Sequence, residues 1–295
     1  MGPTAVGKTD LGIQLSHQFP MGLISVDSAM VYRGMDIGTA KPSKKDFHYL
    51  IDICNPNENY SVGKFCEDAL LSIKHIENNH RIPLLVGGTM MYFRALQNGL
   101  SDLPKSDAAI RKKISQELVE FGVQKCHEKL MAIDPNSASK IHSNDSQRIS
   151  RALEVYESTG IPLSTFHEKQ KKYLQNYQIV NIGIMPKNRD QLKEKIKLRF
   201  MMMLENGFIE EVEKLMIYKD YPSMKSVGYY EVSQYLQNQY DKYTMIEKAI
   251  IATCQLAKRQ MTWLRSFQDI VQFDSESNSL FDDVVSFINK SSGHG

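Results

Sequence analysis

The chain has 295 residues, 42% apolar and 24% charged, with a formal net charge of +2; that is enough apolar sequence for one large or two modest domains. No apolar run approaches the length of a membrane span and no signal-peptide pattern opens the sequence, which argues against a membrane protein, while the near-neutral balance leaves any nucleic-acid binding to local patches. Cys54, Cys66, Cys126 and Cys254 are scattered without a C-x-x-C pair, and the eight histidines show no ligand spacing. Reduced thiols in a cytoplasmic protein are therefore expected, with neither a disulfide frame nor a zinc site.

The first element is a phosphate loop. Gly2-Pro3-Thr4-Ala5-Val6-Gly7-Lys8-Thr9 fits G-x-x-x-x-G-K-[ST]. The glycines let backbone N–H groups curl round an anion, Lys8 adds a point charge, and the Thr9 hydroxyl can ligate magnesium. Leu11, Ile13 and Leu15 among polar neighbours suit a helix whose N-terminus points at the anion. Such a loop hangs from a buried strand, and only Met1 precedes it here. The expectation is that further apolar residues precede Met1 in a longer chain.

An α/β pattern follows. Leu23 to Val26 reads as a strand ending at Asp27 and Ser28, and Phe65, Ala69, Ile73 and Ile76 mark one helix face. Ile82 to Val86 reads as a second strand, with a Gly87-Gly88 turn and a helix from Thr89. Ligands of open parallel sheets sit beyond the carboxyl ends of strands, so the phosphate loop, Asp27 and Thr89 are expected to share one crevice. From about residue 104 to Tyr177 helical signals dominate. Ser106 and Asp107 precede a helix expected to stop at Gly122, and Asp145 or Ser146 caps another that ends at Gly160 and Pro162. A lysine-rich stretch, "HEKQKKYLQNYQ", leads to strand-like "IVNIGIMP". The last third is mostly helical. Leu192, Ile196, Phe200 and Leu204 form a stripe, Met201, Met202 and Met203 read as core filler, and a long amphipathic stretch from Tyr243 precedes a short "IVQF" strand. The fold class expected is α/β, a P-loop NTPase-like parallel core flanked by helices (1–105 and 178–295) with an all-helical insertion (106–177).

A phosphate loop alone suggests a nucleotide kinase or NTPase with ATP as ligand. Such enzymes usually add an acid at the end of a second strand to hold the metal, and here that strand ends "PLLVGGTMMY". Asp27 is the well-placed carboxylate, which weakens that reading and leaves open a small-molecule kinase with Asp27 as base.

"GPTAVGKT", "ISVDSAMVYRGMDIGTAKP", "RIPLLVGGTMMYF", "DSQRISRALEV", "SVGY" and "QLAKRQMTWLR" occur in one order from residue 2 to Arg265. In this the chain resembles the bacterial tRNA dimethylallyltransferase (tRNA isopentenyltransferase) family. The resemblance implies that Gly2, Thr4, Ala5, Val6, Gly7, Lys8 and Thr9 cradle the diphosphate of dimethylallyl diphosphate, with Mg²⁺ at Thr9. Transfer then goes to the exocyclic amine of the adenosine on the 3′ side of the anticodon. Ionising an allylic diphosphate needs its charge neutralised, a role for Lys8 and the loop amides. The acceptor amine must lose a proton, and Asp27 is the natural base. Thr89 resembles a family position near the reacting centre, and Arg111 another that contacts substrate.

The partner implied is the anticodon stem-loop of a tRNA, bound by a monomer, with the target base extruded from its stack. Asp27, Ser28, Ala29 and Met30 resemble one contacting strip. Gln147, Arg148, Ile149, Ser150 and Arg151 form a second. Gln255, Lys258, Arg259 and Gln260 form a third, with Lys225, Gly228 and Tyr229 between. The sequence departs from the family at Lys225, where the pattern carries arginine, at Tyr230, and at Cys254; lysine lacks the bidentate fork and tyrosine lacks charge. Two other readings remain: transfer of the same group to free adenine nucleotides, and a P-loop kinase or NTPase.

Overall fold

The computed structural model describes residues 1–42, 48–104, 106–166 and 170–292; the first three residues of the lysine-rich stretch and the last three of the chain lie outside them. The backbone divides into two compact units, 1–94 with 176–295, and 95–175.

In the first unit the phosphate loop leads into α1 (Lys8–Gln18), and β1 (Met21–Val26) follows, buried along its whole length. β2 (His48–Tyr49) and β3 (Ile82–Gly87) flank β1 in parallel, giving the order β2-β1-β3. Leu23 stands opposite His48 on one side and Leu84 on the other. Crossover helices cover both faces of a parallel sheet, which is why the buried central strand β1 reads as a continuous apolar run. α2 (Val62–Asn78) is capped by Ser61, whose hydroxyl accepts from the Lys64 amide, and it buries Phe65, Ala69, Ile73 and Ile76. α3 (Met90–Asn98) follows the Gly87-Gly88 turn.

The second unit holds β4 (Leu100–Ser101), α4 (Ala108–Ile133), α5 (Pro135–Ala138), α6 (Ser146–Thr159), α7 (Leu163–Phe166) and β5 (Gln170–Lys171). α4 runs beyond the stop expected at Gly122 but is broken there, with φ 83° and ψ 164°, so the glycine interrupts the helix without ending it. β4 and β5 pair antiparallel over two residues each, too short to register as alternation in sequence. Ile114, Leu130, Ile149, Leu153 and Val155 form this unit's core. Glu154 is buried and holds Ser106, Arg111 and Arg151, the last also donating to the Pro104 carbonyl at 2.8 Å.

The first unit resumes with β6 (Asn181–Met185), α8 (Arg189–Glu205), α9 (Phe208–Leu215), α10 (Tyr229–Leu236), α11 (Lys242–Leu264), β7 (Ile270–Asp274) and α12 (Leu280–Ser292). β6 and β7 pair in parallel, a second sheet beside the three-stranded one. The amine of Met1 donates to the Ile182 carbonyl at 2.8 Å, and Ile184 N–H donates back to Met1 at the same distance, which ties the residue before the phosphate loop to β6. Val6, Leu11, Leu15, Ile184, Leu192 and Ile196 share one core with Met261 of α11. The core role expected of the methionine triplet is corrected: Met201 and Met202 are 37% and 52% exposed, because they follow Phe200 round the helix onto its outer face. Among the described residues no helix is long and apolar enough to cross a membrane.

Candidate active site

The phosphate loop owes its curl to two residues in left-handed backbone, Ala5 (φ 65°) and Gly7 (φ 79°). Gly2 is required by close approach, since a Cβ there would meet the Ile184 carbonyl at 2.6 Å. Val6 is buried and anchors the loop in the core. The amide of Thr4 donates to Gln260 Oε1 at 2.8 Å, and Gln260 Nε2 donates to the Gly88 carbonyl at 3.0 Å. One side chain of α11 thereby ties the loop to the turn after β3. The amides of Gly7, Lys8 and Thr9 have no acceptor among the described residues and open the N-terminus of α1 to an anion.

These elements enclose a chamber of about 80 Å³ lined by Lys8, Thr9, Asp27, His48 and Arg199, among others. Lys8 Nζ donates to the Pro3 carbonyl. Burial brings its pKa down to about 8, against the opposing pull of the Asp27 carboxylate, with Arg199 lowering it further. Burial likewise lowers Arg199, while Asp27 and Asp10 support its charge. Two partly shielded cations facing one carboxylate leave net positive potential, which a polyanion would satisfy.

A larger crevice of about 430 Å³ shares Thr4, Asp27, Thr39, Gly88, Arg199 and Gln260 with the chamber. Its far walls are apolar: Met90, Ile196, Phe200, Met203, Phe208 and Trp263. Asp27 stands at the junction. Its Oδ1 accepts from the amides of Ala29 at 2.8 Å and Met30 at 3.2 Å, so the turn after β1 fixes the carboxylate. Thr89 Oγ1 accepts from the Ser28 amide at 3.1 Å, binding the β1 and β3 ends together. Arg199 reaches Thr4 Oγ1 and the Thr39 carbonyl, both at 3.4 Å. The segment carrying Thr39 is held from behind by Glu211. Its carboxylate accepts from the amides of Asp36, Ile37 and Gly38 and from the Tyr229 hydroxyl at 2.5 Å. Gly38 lies so close to Phe208 that a Cβ would meet the ring at 2.2 Å.

The family model described as IPP transferase matches residues 30–267. A tRNA dimethylallyltransferase of Coxiella burnetii (strain CbuG_Q212) is 51% identical over 296 residues, covering 98% of each chain. One of Legionella pneumophila (strain Philadelphia 1) is 48% identical over 98% of this chain and 94% of its own. The chain belongs to the IPP transferase family. Solved structures agree. The full-length tRNA isopentenylpyrophosphate transferase of Bacillus halodurans superposes with a TM-score of 0.71 at 35% identity, over 98% of this chain and 94% of that one. A eukaryotic dimethylallyltransferase acting on tRNA gives 0.79 at 27% identity, over 98% and 76%.

Within this IPP transferase the crevice unites Lys8, Thr9, Asp27, Ser28, Ala29, Thr89, Lys225, Gly228, Tyr229, Arg259 and Gln260 along its two cavities. Several residues read as RNA contacts have partners inside the protein. Tyr229 is fully buried with its hydroxyl on Glu211, Ile149 is fully buried in the second unit's core, and both amide ends of Gln260 are committed inside the protein. Gln255, Lys258 and Arg259 face outward beside Trp263 on α11. In the second unit Gln147 and Arg148 are exposed, whereas Arg111 and Arg151 pair with buried Glu154. Cys254, where the family pattern is basic, packs against the apolar core, and Tyr230 is 48% exposed. Arg199, Glu211 and His48 were missed. Arg199 alone had a signal: it falls three residues after Ile196 and seven after Leu192, on the buried stripe of α8.

Proposed function

We propose that this chain transfers a dimethylallyl group from dimethylallyl diphosphate to the exocyclic amine of a tRNA adenosine, the one on the 3′ side of the anticodon. The observation that carries the reading is the junction: a cationic chamber and an apolar crevice meet at Asp27 and Arg199. An allylic diphosphate has the same two halves, an anionic head and a small apolar tail. The core is accordingly read as a P-loop fold turned to a diphosphate donor.

The amides of Gly7, Lys8 and Thr9, with the cations of Lys8 and Arg199, seat the diphosphate. As the allylic C–O bond breaks, its electron pair goes to the departing oxygen and the cations meet the growing charge, which lowers the barrier. The tail lies toward Phe200, Met203 and Phe208. A base extruded from the anticodon loop enters the crevice from the Trp263 side, its amine forms the new N–C bond, and its proton passes to Asp27 Oδ2. Oδ1 is already engaged by two amides, so Oδ2 is the oxygen presented. Thr9 lines the chamber beside Lys8, and its hydroxyl fits a magnesium ion that keeps phosphate oxygens and water as its other ligands. When bound, that ion supplies charge neutralisation.

Residues 106–177 are read as an insertion that contacts tRNA through Gln147 and Arg148, and Lys258 and Arg259 supply further phosphate contacts. The enzyme is read as a monomer. The test is transfer of radiolabelled dimethylallyl groups, with magnesium, to an unmodified anticodon stem-loop. Parallel reactions carry guanosine at the target position or offer AMP. Label in the adenosine stem-loop alone is expected. Label in AMP would redirect the assignment to a free-nucleotide acceptor, and ATP turnover without prenyl donor to a kinase or NTPase.

A further inference from the structure

His48 is a polar side chain whose surroundings leave it unexplained. Both ring nitrogens are shut off from solvent, and among the described residues neither has a hydrogen-bond partner. Buried polar groups without partners are rare and costly, and each asks for a reason. The ring is not on a loose loop: His48 belongs to β2 and stands opposite Leu23 in parallel register with the buried central strand. It lines the same chamber as Lys8, Thr9 and Arg199.

The company decides what the missing partner is. Apart from Asp27, at the junction with the crevice, the chamber's polar side chains are cations and donors, so its ligand is an anion. Burial lowers the His48 pKa, and a neutral imidazole still carries one N–H donor and one acceptor nitrogen. We infer that His48 is a further catalytic residue, donating a hydrogen bond from its ring N–H to a non-bridging oxygen of the diphosphate. This rests on the chamber being the diphosphate site. No proton moves in this role. When the allylic C–O bond breaks, the electron pair passes to the diphosphate, its oxygens become better acceptors, and a preformed donor binds the transition state more tightly than the ground state.

Calorimetric binding of inorganic pyrophosphate with magnesium to the full chain tests this, using wild type, His48→Phe, His48→Asn and Lys8→Met, with stem-loop affinity measured alongside. A hydrogen bond to a charged acceptor predicts roughly tenfold or greater weakening in His48→Phe. His48→Asn, which keeps an N–H donor, should recover most of it, and stem-loop affinity should not move. Wild-type pyrophosphate affinity in His48→Phe, with a loss in Lys8→Met, overturns the role of His48 alone. Wild-type affinity in Lys8→Met overturns the chamber reading beneath it. Equal losses of pyrophosphate and stem-loop binding in His48→Phe overturn the inference in favour of a packing role. Independently of folding in the variants, the imidazole nitrogen resonance of wild-type His48, assigned by its loss in His48→Asn or His48→Gln, should shift on adding magnesium pyrophosphate; a resonance that stays put overturns it as well.

Discussion

Asp27 offers its two oxygens to different tasks. Oδ1 takes the Ala29 and Met30 amides, the residue lines both chamber and crevice, and Oδ2 is the oxygen proposed to take the proton. Asparagine can reproduce the first task but cannot accept a proton. Asp27→Asn is therefore expected to fold and bind pyrophosphate as wild type while transfer falls by about 10²–10⁴, measured as single-turnover rate with donor saturating. An equal fall in donor affinity would make Asp27 a binding residue instead. Gln260 and its neighbours separate in the opposite sense. Gln260 bridges Thr4 to Gly88 whereas Lys258 and Arg259 face outward. Gln260→Ala should weaken pyrophosphate binding and leave stem-loop binding intact. The double variant of Lys258→Ala with Arg259→Ala should weaken the stem-loop only, with a shallower salt dependence. Filter binding and calorimetry on the same preparations decide between these assignments.

At the scale of elements, the segment 36–39 is held by distant anchors. Glu211 on α9 caps three of its amides and takes the Tyr229 hydroxyl from α10, and Lys41, its side chain 2% exposed, reaches Asp36 and Asp52 at 2.8 and 2.6 Å. The segment's Thr39 carbonyl in turn receives Arg199. Charge-assisted hydrogen bonds are worth about 1.5–3 kcal/mol each. Glu211→Gln is expected to raise the KM for the prenyl donor by roughly tenfold, because a carboxamide must turn a donor toward one of those amides. The single-turnover rate at saturation should change little. A fall in that rate with KM unchanged would show that the segment acts only in the transition state.

At the scale of the molecule, the second unit has its own core and its own charge lattice. Lys113 and Lys129 of α4 hold Glu157 of α6 at 2.9 and 3.1 Å. Hydrogen bonds from these two lysines keep the Glu157 carboxyl below its ordinary value. A depressed carboxyl contributes stability that is present above its unfolded pKa and lost as pH falls through the folded one. Protection of the α6 amides, taken relative to the intrinsic exchange rate at each pH, should therefore fall when pH drops from above the ordinary carboxylate range to below it, and Glu157→Gln should abolish that part of the change. Exchange that is insensitive to Glu157→Gln would show the pairs to be solvent-screened ornaments of the surface.

Local sequence determined every feature that depends on neighbours along the chain. The phosphate loop was legible because Gly7 must adopt φ 79° and Lys8 must follow it. The strand ends at Asp27 and Gly87, and the caps at Asp107 and Asp145, were legible because turns and helix starts constrain residue type within a few positions. Tertiary structure alone decided what each polar side chain faces. Arg199 and Lys197 lie on one helix, yet Arg199 points into the chamber wall and Lys197 into solvent. Gln260 is turned inward beside outward Arg259, and Glu211 finds amides some 175 residues away. Such partners are fixed by packing between elements, so the composition of any one segment carries no trace of them.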